Sequence, residues 1–286
     1  MTRSIHPLEK QLHFTHTEKL LFPKAGMTKK HLLEYYLAVS RQLLPCLKGR
    51  PITLERAPEG LKTRSSPRFW QKNTPRNYPH WIPRVTLATT QGKAVDYVLI
   101  DDAKTLLYLV NQGTITFHAW LSRVGSLDCP DFVLFDLDPG AASFKELITI
   151  AQEFHSVLTS LGINPSVKTS GRTGLHVTVP WEESSGYDES RKWATSIAKQ
   201  VLRRHRTIAT LERLKQNRGK KVYIDLLQNA KGHHAVPPFV VRIVPEATVS
   251  TPLSWNEVTP ELDLKSFDVR RVLRRIERVS ALRKAA

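Results

Sequence analysis

Apolar residues recur at helical intervals in four stretches of the chain. The first follows Thr28, a residue type that caps helices, and carries Leu32 and Val39 on one side until Pro45 disturbs it. The other three read SFKELITIAQEFHSVLTSLG, ESRKWATSIAKQVLRRH and FDVRRVLRRIERVSAL, the last of which predicts a basic C-terminal helix over about 267–283. We therefore predict four amphipathic helices.

Short β-branched and aromatic runs separated by polar turns indicate strands between these helices. They read YVLI, LLYLV, TITFHAW, FVLF, KKVYIDLLQN and FVVRIV, and PSVKTSGRTGLHVTVP reads as strand, Gly-rich turn and strand. Helices and strands interleave without a strict βαβ repeat, which predicts an α+β (mixed α/β) fold, a mixed β-sheet flanked by helices. We take residues 1–14 as an N-terminal tail and 15–286 as one domain, with a small N-terminal lobe before about residue 97 left open.

The net charge of the chain indicates which classes of partner it could bind. The chain has 286 residues, is 41% apolar and carries a formal charge of +17, so it can fill a core and attract polyanions such as nucleic acid or a membrane surface. No apolar run approaches the ~18 residues of a membrane span, and the first residues lack the apolar core of a signal peptide. Cys46 and Cys129 have no metal-type spacing. We expect a soluble cytoplasmic protein without a membrane partner.

Two acids close an apolar run in the stretch FVLFDLDPG. Asp136 and Asp138 are two residues apart, so on a strand their carboxylates leave the same face. Carboxylates held this close suit a hard cation such as Mg²⁺ or Mn²⁺. Acids before Pro-Gly are also common turn formers, and for this pair alone the turn is the favoured interpretation.

A third acid favours the metal site over the turn. Asp225 interrupts the apolar run VYIDLLQN, where burial without a charge partner would be costly. Three carboxylates on neighbouring strands could hold two metal ions for in-line phosphoryl transfer.

The segment KTSGRTGLHVTVP offers donors for an anion. Gly171 and Gly174 permit a tight turn, and Lys168, Ser170, Arg172 and His176 could add side-chain donors. A plain polar hairpin is an equally good interpretation of this segment. Arg242, alone in FVVRIV, needs an anionic partner, which is either an acid of the protein or a phosphate.

These segments together resemble a known family. FDLDPG, SGRTGLHV, VYIDLLQN and the downstream VPPFVVRIVPEATVSTPLSWNEV are similar, in order and spacing, to the motifs of the polymerase domain of bacterial ligase D. That domain belongs to the archaeo-eukaryotic primase superfamily and serves non-homologous end joining. THTEKLLFPKAGMTKKHLLEYY and GRPITLERAPEGLKTRSSPRFWQKN extend the likeness to about residues 15–260.

The resemblance implies roles for individual residues. Asp136, Asp138 and Asp225 would be catalytic and would bind two divalent ions, with Mn²⁺ preferred and Mg²⁺ accepted. The implied nucleotide-binding residues are Trp70, His118, Ser170, His176 and Arg242. The implied DNA contacts are Lys19, Lys29, Arg56 and Arg218, and for these a solvated surface charge is an equal alternative.

The resemblance also implies an activity. The chain would be a template-dependent DNA/RNA polymerase, a nucleotidyltransferase that adds NTPs or dNTPs to a 3′ end at gaps and double-strand breaks, with some untemplated addition. Ku-like and DNA ligase proteins are the implied partners, and DNA substrates would place the protein at the nucleoid. A primase that starts chains without a primer, a non-catalytic DNA-end-binding module that recruits a ligase, and a two-metal nuclease remain alternatives.

Overall fold

The computed structural model describes residues 11–63, 66–88, 92–182 and 184–285. Its helices are α1 (Lys29–Leu47), α2 (Ala103–Asn111), α3 (Phe144–Ser160), α4 (Tyr187–His205) and α5 (Val269–Ala285). Its strands are β1 (Leu20–Phe22), β2 (Met27–Thr28), β3 (Ile52–Arg56), β4 (Phe69–Gln71), β5 (Arg84–Ala88), β6 (Ala94–Val98), β7 (Thr114–Trp120), β8 (Phe132–Asp138), β9 (Ser166–Thr169), β10 (Leu175–Pro180), β11 (Ala209–Thr210), β12 (Val222–Asp225), β13 (His234–Ala235) and β14 (Pro252–Leu253). Within the described ranges, no helix is both long enough and apolar enough to cross a membrane.

The chain forms two compact units. The first consists of residues 1–119, 236–250 and 265–286, and the second of residues 120–235 and 251–264. The first unit therefore contains the N-terminal part of the chain together with two later segments.

In the first unit, antiparallel strands follow the order β7-β3-β6-β5, and β4 also pairs with β3. Thr28 caps helix α1, because its hydroxyl accepts a hydrogen bond from the His31 N–H. Tyr36 on α1 is fully buried, donates its hydroxyl to the Ile115 carbonyl at 2.5 Å and packs edge-on against Phe117 of β7. These contacts fix the helix against the strand that carries His118.

The second unit contains a mixed six-stranded sheet in the order β11-β12-β8-β10-β9-β14. Only β11 and β12 run parallel; the other neighbouring pairs are antiparallel. On β8, the centre of the Phe135 ring is 4.6 Å from that of Phe154 in α3 and 6.1 Å from that of Trp193 in α4. Because side chains alternate along a strand, Asp136 and Asp138 leave the opposite face of the sheet.

The helices predicted at α1, α3, α4 and α5 and the strands predicted at β7, β8, β9, β10 and β12 are confirmed. Helix α1 continues through Pro45 to Leu47, which differs from the predicted disturbance. Pro45 lies in the last turn, so it interrupts the hydrogen-bond ladder only where the helix is about to end.

Two predicted strands are wrong. LLYLV lies in helix α2, which Asp102 caps by accepting a hydrogen bond from the Thr105 N–H at 2.7 Å. A short, fully buried apolar run does not distinguish strand from helix by periodicity alone. FVVRIV forms only an isolated bridge between Val241 and Val249, because the chain turns on positive φ angles at Phe239 and Ala247.

Candidate active site

The three aspartates of the second unit lie together on the face of its sheet opposite to the one that carries Phe135. In the antiparallel pairing of β12 with β8, Asp225 lies directly opposite Asp136, and Tyr223 lies opposite Asp138. Directly opposed residues have Cβ atoms about 4.5–5.5 Å apart. Asp136 and Asp225 are therefore immediate neighbours, and Asp138 follows two residues farther along the same face.

The turn after β8 explains why the apolar run stops at Asp138. The Asp138 Oδ1 accepts a hydrogen bond from the Gly140 N–H at 3.0 Å, and Gly140 has a φ of 54°, which favours glycine. Helix α3 begins after Ser143, which forms a reciprocal capping box with Glu146. Asp138 is thus both a turn residue and a member of the acidic group, so the two interpretations of the sequence are compatible.

Asp225 is held by groups from its own strand end. Its Oδ1 accepts hydrogen bonds from the Leu227 N–H at 2.8 Å and from the Tyr223 hydroxyl at 3.3 Å. Burial first, and the negative charge of Asp225 second, raise the pKa of Tyr223 to about 12. The Arg218 guanidinium lies 3.5 Å from the centre of the Tyr223 ring and donates to the backbone carbonyls of Glu212 and Arg213. Arg218 is therefore fixed beside the acidic group.

A histidine and a lysine continue the same row on the other side of Asp136. His176 on β10 lies opposite Asp136, and Lys168 on β9 lies opposite His176. The His176 Nε2 is 3.5 Å from Asp136 Oδ1, and its Nδ1 is 2.8 Å from the Lys168 amino group. If the amino group donates to Nδ1, the imidazole proton is left on Nε2, where it faces Asp136. The row of Asp225, Asp136, His176 and Lys168 therefore runs from two carboxylates through an imidazole to an amine, and we call it the acidic row.

Lys168 is absent from the residues that the family resemblance assigned. It is 8% exposed, which is unusual for a lysine, and its amino group orients a histidine that is itself next to Asp136. A signal was present in the sequence: Lys168 and His176 flank a Gly-rich turn and face each other when that turn closes a hairpin.

The Gly-rich turn is ordered by Ser170. Its Oγ accepts hydrogen bonds from the backbone N–H groups of Arg172 at 3.2 Å and Gly174 at 3.1 Å. A Cβ atom on Gly174 would lie 2.2 Å from the Leu137 carbonyl oxygen, so only glycine lets β10 approach β8 this closely. Gly171 has a φ of 72°. The segment is a hairpin with an internally bonded serine, and its place beside the acidic row suits an anion-binding turn.

The carboxylate chemistry of the three aspartates suits a hard divalent ion. Among the described residues, no three Asp, Glu, His or Cys side chains are already gathered as a ligand shell. Asp138 and Asp225 each accept, at Oδ1, a hydrogen bond from a backbone N–H two residues ahead. Asp136, Asp138 and Asp225 are the residues that would hold a metal ion.

The first unit brings two of its predicted nucleotide-binding residues together. The Trp70 ring is centred 4.3 Å from the His118 ring, and Trp70 remains 53% exposed. The His118 Nε2 is 3.2 Å from the Glu55 Oε2, and both of these residues are buried. Glu55 lies directly opposite Trp70 in the pairing of β3 with β4. The result is an exposed aromatic surface supported by a buried carboxylate–histidine pair.

Glu55 is a residue to which the sequence interpretation gave no role. A charged residue inside the strand Ile52–Arg56 was the available signal, because a buried glutamate requires a partner.

Arg242, the remaining predicted nucleotide-binding residue, is 8% exposed and sits in a turn rather than a strand. Its N–H donates to the Thr248 carbonyl at 2.8 Å, and its carbonyl accepts from the Val244 N–H at 2.9 Å. The turn is supported by Tyr36, whose hydroxyl accepts from the Val241 N–H at 3.1 Å.

The predicted DNA contacts of the first unit have different surroundings. Lys19 forms an ion pair with Glu59 at 2.5 Å, and the Lys29 amino group donates to the Thr15 carbonyl at 2.6 Å. Burial first, and the positive charge of Lys19 second, lower the pKa of Lys29 to about 8. Arg56 donates to the Gln71 side chain and to the Gln112 carbonyl. Lys19 and Lys29 thus form a pair of neighbouring cations, whereas Arg56 is bound to groups of the protein.

Comparison with known proteins identifies the family. The family model for the LigD primase-polymerase domain matches residues 28–282. The chain belongs to the LigD primase-polymerase family. The fold class and the family resemblance drawn from the sequence are confirmed.

The relatives agree with this assignment. The chain is 32% identical over 278 residues to the bifunctional non-homologous end joining protein LigD of Bacillus subtilis, which covers 96% of this chain and 44% of that protein. It is 29% identical over 262 residues to the multifunctional LigD of Mycolicibacterium smegmatis, covering 90% of this chain and 34% of that protein. The chain therefore spans less than half the length of these relatives.

A solved structure also matches. It is the polymerase domain of Mycobacterium tuberculosis ligase D in complex with DNA, at a TM-score of 0.85 and 27% identity, covering 93% of this chain and 94% of that one. Members of the family depend on metal ions, in agreement with the carboxylate chemistry of the acidic row.

Proposed function

We propose that this chain is a template-dependent nucleotidyltransferase that extends DNA 3′ ends at gaps and double-strand breaks, with Mn²⁺ preferred over Mg²⁺ and both NTPs and dNTPs accepted. The observation that carries the proposal is the row in which Asp225, Asp136, His176 and Lys168 face one another across four strands. Family membership and the likeness to a DNA-bound polymerase domain support it.

Each end of the row has a distinct role. Asp136, Asp138 and Asp225 supply oxygen ligands, and two divalent ions bound there would activate an attacking oxygen and stabilise a leaving one. His176, oriented by Lys168, presents its Nε2–H next to the acids and can donate to a phosphate oxygen. The turn that begins at Ser170 adds backbone donors on the same side of the sheet.

Residues of the first unit supply recognition. The exposed ring of Trp70 can stack on a base or sugar, and the His118 ring packs against it. Arg242 is a candidate for the triphosphate. The cations Lys19 and Lys29 are candidates for a 5′-phosphate at a break, and Arg218, fixed beside Asp225, is a candidate for the DNA backbone near the site.

The remaining parts of the proposal concern context. Arg56 would contact DNA only after releasing Gln71 or Gln112, so we rank it below the other DNA candidates. Ku-like and DNA ligase proteins are the proposed partners, and the nucleoid is the proposed location. The family resemblance implies these partners and this location, and the relatives are named as non-homologous end joining proteins.

The test is extension of a labelled primer at a short gap with Mn²⁺ and a single dNTP or rNTP. We expect addition by the wild type and none by Asp138→Ala, with DNA binding retained by that variant. Asp128→Asn is the control, because Asp128 is an exposed aspartate already paired with Lys231. Synthesis on unprimed template would identify a primase instead. Shortening of the DNA without nucleotide addition would identify a nuclease, and binding without either reaction would identify an end-binding module.

A further inference from the structure

Exposed positions of helix α4 carry several basic residues. From Arg191 to Arg206 the sequence contains basic residues and no acid. Arg204 and His205 turn toward Glu153 of α3, where Arg204 pairs with it at 2.7 Å. Arg204 is therefore already neutralised, and the cations on the other side of the helix are not part of that pair.

Those remaining cations line a groove. One depression of about 500 Å³ is lined by residues that include Lys199, Arg203, Arg206 and Lys221, with no acid among them. A neighbouring depression of about 450 Å³ is lined by Arg191, Lys192 and again Lys199, with Asp188 at its far end. We call the two depressions together the α4 groove, defined by Arg191, Lys192, Lys199, Arg203, Arg206 and Lys221.

These cations lack acidic partners within the part of the chain that the structure describes, where no ion pair involves Lys192, Lys199, Arg203 or Arg206. Lys221 donates its amino group to the Arg206 carbonyl at 2.8 Å, which orders it along the helix end. Basic residues in the last turn of a helix are expected from the helix dipole. Lys199 lies about one turn and Lys192 about three turns before that last turn, so the dipole does not explain the groove.

The dimensions of the groove suit a nucleic-acid backbone. Lys192 and Arg206 are fourteen positions apart in the sequence, which is about 21 Å at 1.5 Å per helical residue. One strand of a DNA duplex carries one phosphate per about 3.4 Å of axis, so this length faces about six phosphates. Within this length the groove offers Lys192, Lys199, Arg203 and Arg206, with Lys221 beside the helix end.

The groove lies on the other side of the sheet from the acidic row. Helix α4 packs on the face that Phe135 shares, whereas Asp136 leaves the opposite face. The groove also reaches the edge of the sheet, because Ala209 and Thr210 of the edge strand β11 line it. Next to β11 lies β12, which carries Asp225, so one interstrand spacing of about 4.8 Å separates the strand of Asp225 from the edge strand that lines the groove.

We propose that the α4 groove binds the sugar-phosphate backbone of duplex DNA, without sequence preference. Binding in the groove does not rest on the proposed function. The groove supplies affinity and no reacting group, so it leaves the chemical step alone.

The test compares two triple variants that lose the same charge. The groove variant combines Lys199→Gln, Arg203→Gln and Arg206→Gln, all at exposed positions. The control combines Lys24→Gln, Lys48→Gln and Arg204→Gln, which lie outside the groove, and two of these cations are already paired, with Glu246 and Glu153. Fluorescence anisotropy with a labelled duplex of about 30 base pairs, about 100 Å long, gives the affinity at several NaCl concentrations.

We expect the salt dependence to separate the variants. Each phosphate contact contributes about 0.9 to the slope of log K against log salt, so the groove variant should be shallower than the wild type by about 2.7. The control should change by less than about 1. Equal slopes for the groove variant and the control would overturn the proposal, as would loss of binding to polyglutamate with DNA binding unchanged, which would indicate an acidic protein partner.

A second measurement separates this proposal from the proposed function. Single-nucleotide extension at saturating DNA should keep the wild-type kcat in the groove variant, because its residues lie away from the acids. A protein that never extends a primer would remove the proposed function while the salt slopes still decided the groove. Lys199→Glu provides a second variant with one exposed change, and it should weaken duplex binding more than Arg204→Glu does.

Discussion

Replacing Asp225 by asparagine should make the protein inactive and, without metal, more stable. Asp225 and Asp136 are opposed across β12 and β8 with carboxylates on one face. Two unit charges about 5 Å apart repel by about 3 kcal/mol at an effective dielectric constant of about 20, and by less than about 1 kcal/mol in water. Because the Asp136 side chain is 28% exposed, we expect about 1–3 kcal/mol.

Asparagine removes this repulsion and keeps the local structure. Its carbonyl oxygen can still accept the hydrogen bond that the Leu227 N–H gives to Asp225. In metal-free buffer the melting temperature should therefore rise by about 2 to 8 °C. Saturating Mn²⁺ should reverse the order, since a ligand at about one hundred times its Kd adds about 2.7 kcal/mol to the protein that binds it.

The assay is differential scanning calorimetry of both proteins, in EDTA and in Mn²⁺, together with primer extension. Asp131→Asn is the matched control, because Asp131 is paired with Arg123 at 2.9 Å and its loss should lower the melting temperature in both buffers. A lower melting temperature of Asp225→Asn in EDTA, or an undiminished Mn²⁺ shift in that variant, would refute the reasoning about the acidic row.

Four further predictions concern Trp70, Lys168 and Lys29. Trp70→Ala should raise the KM for the nucleotide by about 5- to 150-fold, since stacking on an aromatic ring contributes about 1–3 kcal/mol, whereas Trp70→Phe should restore most of the affinity in steady-state kinetics. Lys168→Met should lower kcat by about 10- to 100-fold in single-turnover extension with DNA affinity unchanged, because it removes the 2.8 Å contact that orients His176; Lys168→Arg should recover part of the rate. Lys29 loses its charge as pH rises through its pKa of about 8, so the preference for a 5′-phosphorylated over a 5′-hydroxyl end should fall between about pH 7 and pH 9, and Lys29→Met should show no such pH dependence in a binding titration. The same lowered pKa means that, above about pH 8, the unfolded chain holds more protons than the folded chain. Relative to Lys29→Met, the free energy of unfolding of the wild type should therefore rise between about pH 8 and 10.5, the ordinary pKa of lysine. Urea titrations at several pH values measure this change.

The candidate site could be predicted in part, and the part that could not has a common cause. Alternation along β8 places Asp136 and Asp138 on one face without any knowledge of the tertiary fold. Lys168 was named only as a possible anion donor and Glu55 received no role, because their importance lies in a partner across a strand pair, His176 and His118 respectively. Pairing of distant segments is not contained in a local pattern.

The same limit explains the misassigned elements. LLYLV has the composition of a strand, but the Asp102 cap and burial on several sides make it helix α2. Arg242 was expected on a strand, and tertiary packing instead holds it in a turn supported by Tyr36. Short apolar runs are ambiguous until their neighbours are known.

The sequence by itself determined the amphipathic helices, the strands that end in acids, the Gly-rich turn and the family, because each depends on residue order within a short segment. Tertiary structure alone decided that Asp225 faces Asp136, that Lys168 orients His176, and that the α4 cations lie on the far side of the sheet from the acids. The physical reason is that strand register and the choice of sheet face are set by burial of side chains from distant segments, which no local pattern records.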